Sequence, residues 1–143
     1  MKFYAVIDTN VVLSSMISRN SEAATARVMK AVMQNKLIPL YNTDILLEYS
    51  DVLHRPQFNL REEDVQRMIE GIIRRGCMAN RVPGHDVVKD PKDVVFYEVA
   101  LSREEAYLVT GNIKDFPQTP IVVTPSEMVK ILEDNGLIEP LKK

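Results

Sequence analysis

The stretch Phe3-Tyr4-Ala5-Val6-Ile7-Asp8-Thr9-Asn10 decides the fold. Five apolar residues in succession, without the alternation of a half-exposed strand, are the pattern of a strand buried on both faces of a parallel sheet. The run breaks at Asp8-Thr9-Asn10, polar residues that turn the chain and open a helix. A helix is expected from Val11, and a second over residues 21–35, where Ala24, Val28, Ala31 and Val32 recur at helical spacing.

Moving outward, Leu37-Ile38-Pro39-Leu40-Tyr41 reads as a second strand, placed near an edge or a strand end by Pro39, which cannot donate to a ladder. Asn42 and Thr43 are N-cap residues for a helix with Ile45, Leu46, Tyr49, Val52 and Leu53 on one face, stopping before His54-Arg55-Pro56. Asn59 and Glu62 have capping-box spacing, and Val65, Met68, Ile69, Ile72 and Ile73 form the stripe of a helix ending near Gly76. Residues 77–82 are a short third strand, followed by a loop with Pro83 and Gly84.

Asp90-Pro91 starts a helix whose run from Val94 to Leu101 is apolar almost all round, as in a buried helix. Residues 106–109 and 121–123 are short strands, and Thr124-Pro125-Ser126-Glu127 opens a last helix closed by Asn135-Gly136. Strands alternating with helices give an α/β fold with a parallel sheet covered by helices. At 143 residues the chain is expected to be one domain, residues 1–143, with one substantial core.

Charge and cysteine content narrow the function. The net charge is −2 and the pI about 5.7, so bulk attraction does not bring this chain to nucleic acid, and any such substrate must be held locally. The single cysteine, Cys77, forms no internal disulfide, and no apolar run nears the roughly 18 residues needed to cross a bilayer. With no signal-peptide pattern at the start, a cytoplasmic protein without a membrane partner is expected.

Sites in open α/β sheets collect outside the carboxyl ends of the strands. Asp8 ends the first strand, and Thr110-Gly111-Asn112-Ile113-Lys114-Asp115 follows the strand ending at Val109, so both fall at one edge if the strands are parallel. Each acid also has a structural explanation: Asp8 as an N-cap, Glu48 as a solvated helix edge, Asp90 and Asp93 as cap and N3 acid of one helix. Glu48 nevertheless flanks its helix's buried stripe, where a carboxylate is costly unless it meets a cation. Gathered carboxylates repel, and Mg²⁺ or Mn²⁺, hard cations that favour oxygen, relieve the repulsion and support phosphodiester hydrolysis. His54 and His85 sit in no H-E-x-x-H pattern, and no Walker A loop, G-x-G-x-x-G fingerprint or G-x-S-x-G elbow occurs.

Val6-Ile7-Asp8-Thr9-Asn10-Val11, Leu47-Glu48, Asp90-Pro91-Lys92-Asp93, and Leu108-Val109-Thr110-Gly111-Asn112 with Asp115-Phe116 together resemble, in order and spacing, the PIN-domain family. The resemblance spans Phe3 to about Glu133 and looks closest to the bacterial and archaeal toxin branch, similar to the VapC-type toxins. It implies a three-layer α/β/α fold with a central parallel sheet of four to five strands. It also implies a Mg²⁺- or Mn²⁺-dependent endoribonuclease acting as the toxin of a type II toxin–antitoxin pair, with RNA as substrate, a cognate antitoxin and a homodimeric state. Asp8, Glu48 and Asp93 match the three main acidic metal-site positions and Asp115 the looser fourth, with Asn112 competing for that role. Asn10 and Thr110 match small polar positions that support the carboxylates or approach substrate. Arg55, Lys92 and Lys114 are candidate phosphate contacts. The alternatives are a non-catalytic PIN-like module that binds RNA or protein, and a phosphoacceptor receiver, which would need an acceptor Asp ending a mid-chain central strand that residues 77–82 do not offer.

Overall fold

The computed structural model describes residues 2–84, 88 and 90–141, so that His85 lies outside the described residues. In chain order the elements are β1 (Tyr4–Ile7), α1 (Thr9–Ile17), α2 (Ala24–Met33), β2 (Ile38–Tyr41), α3 (Thr43–Leu53), α4 (Glu62–Arg75), β3 (Cys77–Met78), α5 (Pro91–Leu101), β4 (Tyr107–Val109), β5 (Val122–Val123) and α6 (Pro125–Asp134). The sheet has five strands in the order β3-β2-β1-β4-β5, and every pairing is parallel. This is a PIN-like α/β/α arrangement.

The sheet order explains the sequence pattern. β1 is the central strand, and Ala5, Val6 and Ile7 are fully buried, as an unbroken apolar run requires. The chain winds from β1 through β2 to β3 on one side, then returns to build β4 and β5 on the other, which puts the topological switch point between β1 and β4. α5 packs on β1, β2 and β4, and its burial of Phe96, Tyr97, Val99 and Ala100 accounts for its nearly all-round apolar character. α2 packs against α1, α4 and α6. No helix among the described residues is long and apolar enough to cross a membrane.

One local expectation is narrowed and two are corrected. Pro39 lies near a strand end, as the second residue of β2, and not at a sheet edge, since β2 lies between β1 and β3. The Ile38 N–H points toward β1, bonding Phe3 O at 2.9 Å, so the next nitrogen, that of Pro39, faces the other side, where β3 pairing begins only at Leu40 opposite Cys77. Asn59 forms no capping box with Glu62. It closes the 3₁₀ turn Pro56–Phe58 in the left-handed conformation, φ 49°, and α4 starts after Arg61 with no side-chain cap. The third strand, expected over 77–82, has only the two residues Cys77 and Met78.

Elsewhere the differences are at element ends. α1 begins at Thr9 rather than Val11, and α2 covers Ala24–Met33 rather than 21–35, with Asn35 at φ 62° closing it. The capping box of α6 is present, Thr124 Oγ1 accepting from the Glu127 N–H and Glu127 Oε1 from the Thr124 N–H.

Candidate active site

Asp8 extends the β1–β4 ladder by one bond beyond β1, its N–H donating to Val109 O at 2.9 Å. Its backbone serves as the N-cap of α1, accepting the Val11 N–H at 2.9 Å, but its side chain makes no cap hydrogen bond. The carboxylate turns instead to β4, where the Thr110 hydroxyl donates to Asp8 Oδ2 at 2.7 Å. Thr110 is fully buried, and its Oγ1 accepts the Asn112 N–H at 3.0 Å. Capping therefore explains the backbone of Asp8 and leaves its carboxylate available for other chemistry.

The two acids before α5 separate in the same way. Asp90 caps the helix, its Oδ1 accepting the Lys92 N–H at 2.9 Å, while Asp93 sits half-buried in the first turn. Glu48 lies half-buried on α3, which is started by Asn42 Oδ1 accepting the Ile45 N–H at 2.9 Å. Asp115 ends the 3₁₀ turn Ile113–Asp115 that follows β4, also half-buried.

Electrostatics show that these residues share one space. Burial, together with the charges of Asp115 and Glu48, pushes the Asp8 carboxyl above its ordinary range, against the opposing hydrogen bonds from Thr110 and the Thr9 amide. Asp93 is pushed up to about 6, first by desolvation and then by Asp8, Asp90, Asp115 and Glu48. Every charge acting on Asp93 is another carboxylate. An all-oxygen, anionic, partly desolvated donor set suits a hard divalent cation. Among the described residues no three His, Cys, Asp or Glu groups already form a set that could hold a metal ion, so the acids share a field rather than a finished coordination shell.

The remaining sequence candidates divide. Thr110 is at the heart of the cluster, and Asn112 touches it through its backbone while its side chain is exposed. Asp115, rather than Asn112, supplies a charge felt by both Asp8 and Asp93. Asn10 is exposed. Arg55 pairs with Asp51 at 3.2 Å and is not among the charges acting on Asp8 or Asp93. Lys92 and Lys114 are exposed beside their acids.

Two residues escaped the sequence reading. Thr9 follows Asp8 in the chain and is buried, and its Oγ1 has no hydrogen-bond partner. Tyr49, which the helical stripe marks only as core, is fully buried with its hydroxyl bonded to the Ile7 carbonyl. Burial and the Asp8 charge hold that hydroxyl far above the usual phenol range.

A family model described as a PIN domain matches residues 4–114. The chain belongs to the PIN domain family. PIN domains are in general nucleases and typically use divalent metal ions, in keeping with the oxygen-rich cluster. No curated protein and no solved structure matches the chain. The PIN match takes in Asp8, Glu48, Asp93 and Thr110 and stops one residue before Asp115.

Proposed function

We propose that this PIN domain is a Mg²⁺- or Mn²⁺-dependent endoribonuclease, with Asp8, Glu48 and Asp93 as metal ligands and Asp115 as the fourth acid. The observation that carries this reading is that Asp8, turned to Thr110 at the end of β1, and Asp93, at the start of α5, are both pushed up first by burial and then by neighbouring carboxylates, with no cation among the charges acting on them. Proteins keep such an arrangement against its cost to stability where function requires it.

Within this reading the side chains divide the work. Thr110 holds one oxygen of Asp8 and so fixes which oxygen is presented. Asp90 caps α5, which leaves Asp93 free to face the cluster. When bound, the cation would polarise a water and stabilise the leaving oxygen of the phosphodiester. Lys92 and Lys114, exposed beside Asp93 and Asp115, would hold flanking phosphates, which the net charge of −2 leaves to local contacts.

The finer assignment is that of a VapC-like toxin in a type II toxin–antitoxin pair, cytoplasmic, homodimeric and neutralised by a cognate antitoxin, with residues 1–143 acting as one nuclease domain. Its support is the order and spacing of the motifs around Asp8, Glu48, Asp93 and Thr110. Exposed apolar side chains, Ile17 at 50% and Leu47 at 62%, leave surface for protein contacts.

The deciding experiment is cleavage of single-stranded RNA by wild type, Asp8→Asn and Asp93→Asn with Mg²⁺, with Mn²⁺ and with chelator. Cleavage that needs metal and is lost in both variants supports the reading. Variants cutting as fast as wild type overturn it, and RNA bound without turnover at any metal concentration favours the non-catalytic PIN-like module.

A further inference from the structure

The peptide group joining Ile7 to Asp8 is held at both edges. Its N–H donates to Val109 O on β4 at 2.9 Å, and its C=O accepts from the Tyr49 hydroxyl on α3. A trans peptide is planar with these two groups pointing in opposite directions, so clamps on both edges fix the plane. Fixing the plane fixes the direction in which Asp8 leaves the sheet.

Tyr49 also touches the other two acid-bearing elements. It follows Glu48 in α3, so any shift of the tyrosine carries that carboxylate with it. Its ring lies 6.3 Å from that of Phe96, centroid to centroid and tilted by 54°. Phe96 is on α5 one turn after Asp93, on the adjoining part of the same helix. One buried side chain thus spans the end of β1, the middle of α3 and the middle of α5, one turn beyond Asp93.

We propose that Tyr49 is a positioning residue for the acid cluster, setting the mutual geometry of Asp8, Glu48 and Asp93 through its hydroxyl bond to Ile7 and its ring contact with Phe96. The proposal rests on the metal-site reading above and deepens it. Thr110 and Val109 hold Asp8 from the β4 side, and Tyr49 holds it from the α3 side. Without the hydroxyl, the Ile7–Asp8 peptide keeps only its β4 clamp, and the distance from Asp8 to Glu48 is no longer set.

The test uses the full chain as wild type, Tyr49→Phe, Phe96→Leu and, as a control remote from the site, Leu132→Ala in α6. Mn²⁺ affinity is measured by titration calorimetry, kcat and KM on a single-stranded RNA, and folding by circular dichroism and melting. Tyr49→Phe is expected to stay folded, to bind Mn²⁺ about tenfold more weakly and to lose kcat with KM unchanged. Leu132→Ala is expected to melt earlier while keeping wild-type Mn²⁺ affinity. Wild-type affinity and kcat in folded Tyr49→Phe overturn the proposal, as does an equal loss of affinity in Leu132→Ala. If Tyr49→Phe does not fold, Phe96→Leu decides: weakened Mn²⁺ binding supports the proposal, and unchanged binding overturns it. Wild type that binds no Mn²⁺ removes the metal-site reading and the proposal together, whereas metal-binding wild type with an unaffected variant removes the proposal alone.

Discussion

The Thr110 hydroxyl donates to Asp8 Oδ2 at 2.7 Å across 102 residues of chain, joining the ends of two adjacent parallel strands at the switch point of the sheet. Because Thr110 is fully buried, water does not replace it as a donor. Thr110→Val, which keeps the shape and removes the hydroxyl, is expected to lower metal-dependent cleavage about tenfold. It should also cost about 1–3 kcal/mol of stability at neutral pH. Thr110→Ser should retain most of both, which RNA cleavage and denaturant melts will check.

The acid cluster gives stability a pH dependence of definite sign. Asp93 in the folded protein has a pKa raised from 3.8 to about 6, so between those values the native state binds a proton that the unfolded chain has lost. Metal-free stability should therefore fall as pH rises from about 4 through about 6, with the penalty fully present above that. Asp93→Asn should flatten this slope and melt a few degrees higher than wild type at pH 7.5 without metal. His54, whose proton is held by the Ser50 carbonyl and Glu62, also favours low pH, but this contribution is common to both proteins. Equal melting profiles for the two between pH 4 and 8 would remove the claim.

Mn²⁺ should reverse that order. A cation bound by the folded state stabilises in proportion to the logarithm of its concentration over its dissociation constant. Wild type should gain thermal stability with added Mn²⁺ and overtake Asp93→Asn, which should not gain, as scanning calorimetry at fixed pH will show.

Gly76 is required by space rather than by its backbone angles. A Cβ there would lie 2.3 Å from Pro39 O and 2.8 Å from Ile72 O, both backbone atoms unable to yield. Gly76→Ala should cost about 2 kcal/mol or more by forcing α4 away from β2. An unchanged denaturation midpoint would contradict this.

Thr124 offers a control outside the site. Its reciprocal hydrogen bonds with Glu127 start α6, and Thr124→Ala should cost about 1 kcal/mol and leave the cleavage rate per folded molecule unchanged. A change in rate would show that α6 communicates with the acids.

Most of the architecture is legible in the sequence because the signals are local. The unbroken run ending at Asp8, the cap and proline before α5, and the cap, proline and Glu127 of α6 each state their element within a few residues. What is lost depends on distant partners. Pro39 signals an edge or a strand end, and only the late start of β3 tells which, while Asn59 signals a cap until the Pro56–Phe58 turn claims it. At the site, Asp8 and Asp93 are visible because they follow strand-end and helix-start patterns. The Tyr49 hydroxyl is invisible because a helical stripe reports burial and says nothing of what the end of a side chain meets. Thr9 is hidden by its place in a turn motif, where a small polar residue is unremarkable.

The parts that hold Asp8 in place are made after all three of the acids on β1, α3 and α5. A nascent chain that has emerged only through α5 already carries Asp8, Glu48 and Asp93, yet it lacks Val109, Thr110 and the whole of β4, against which Asp8 is set. Domains condense as units, so the acids stay unassembled until β4 leaves the ribosome. A nuclease would in this way remain disarmed beside the ribosome until β4 has been made.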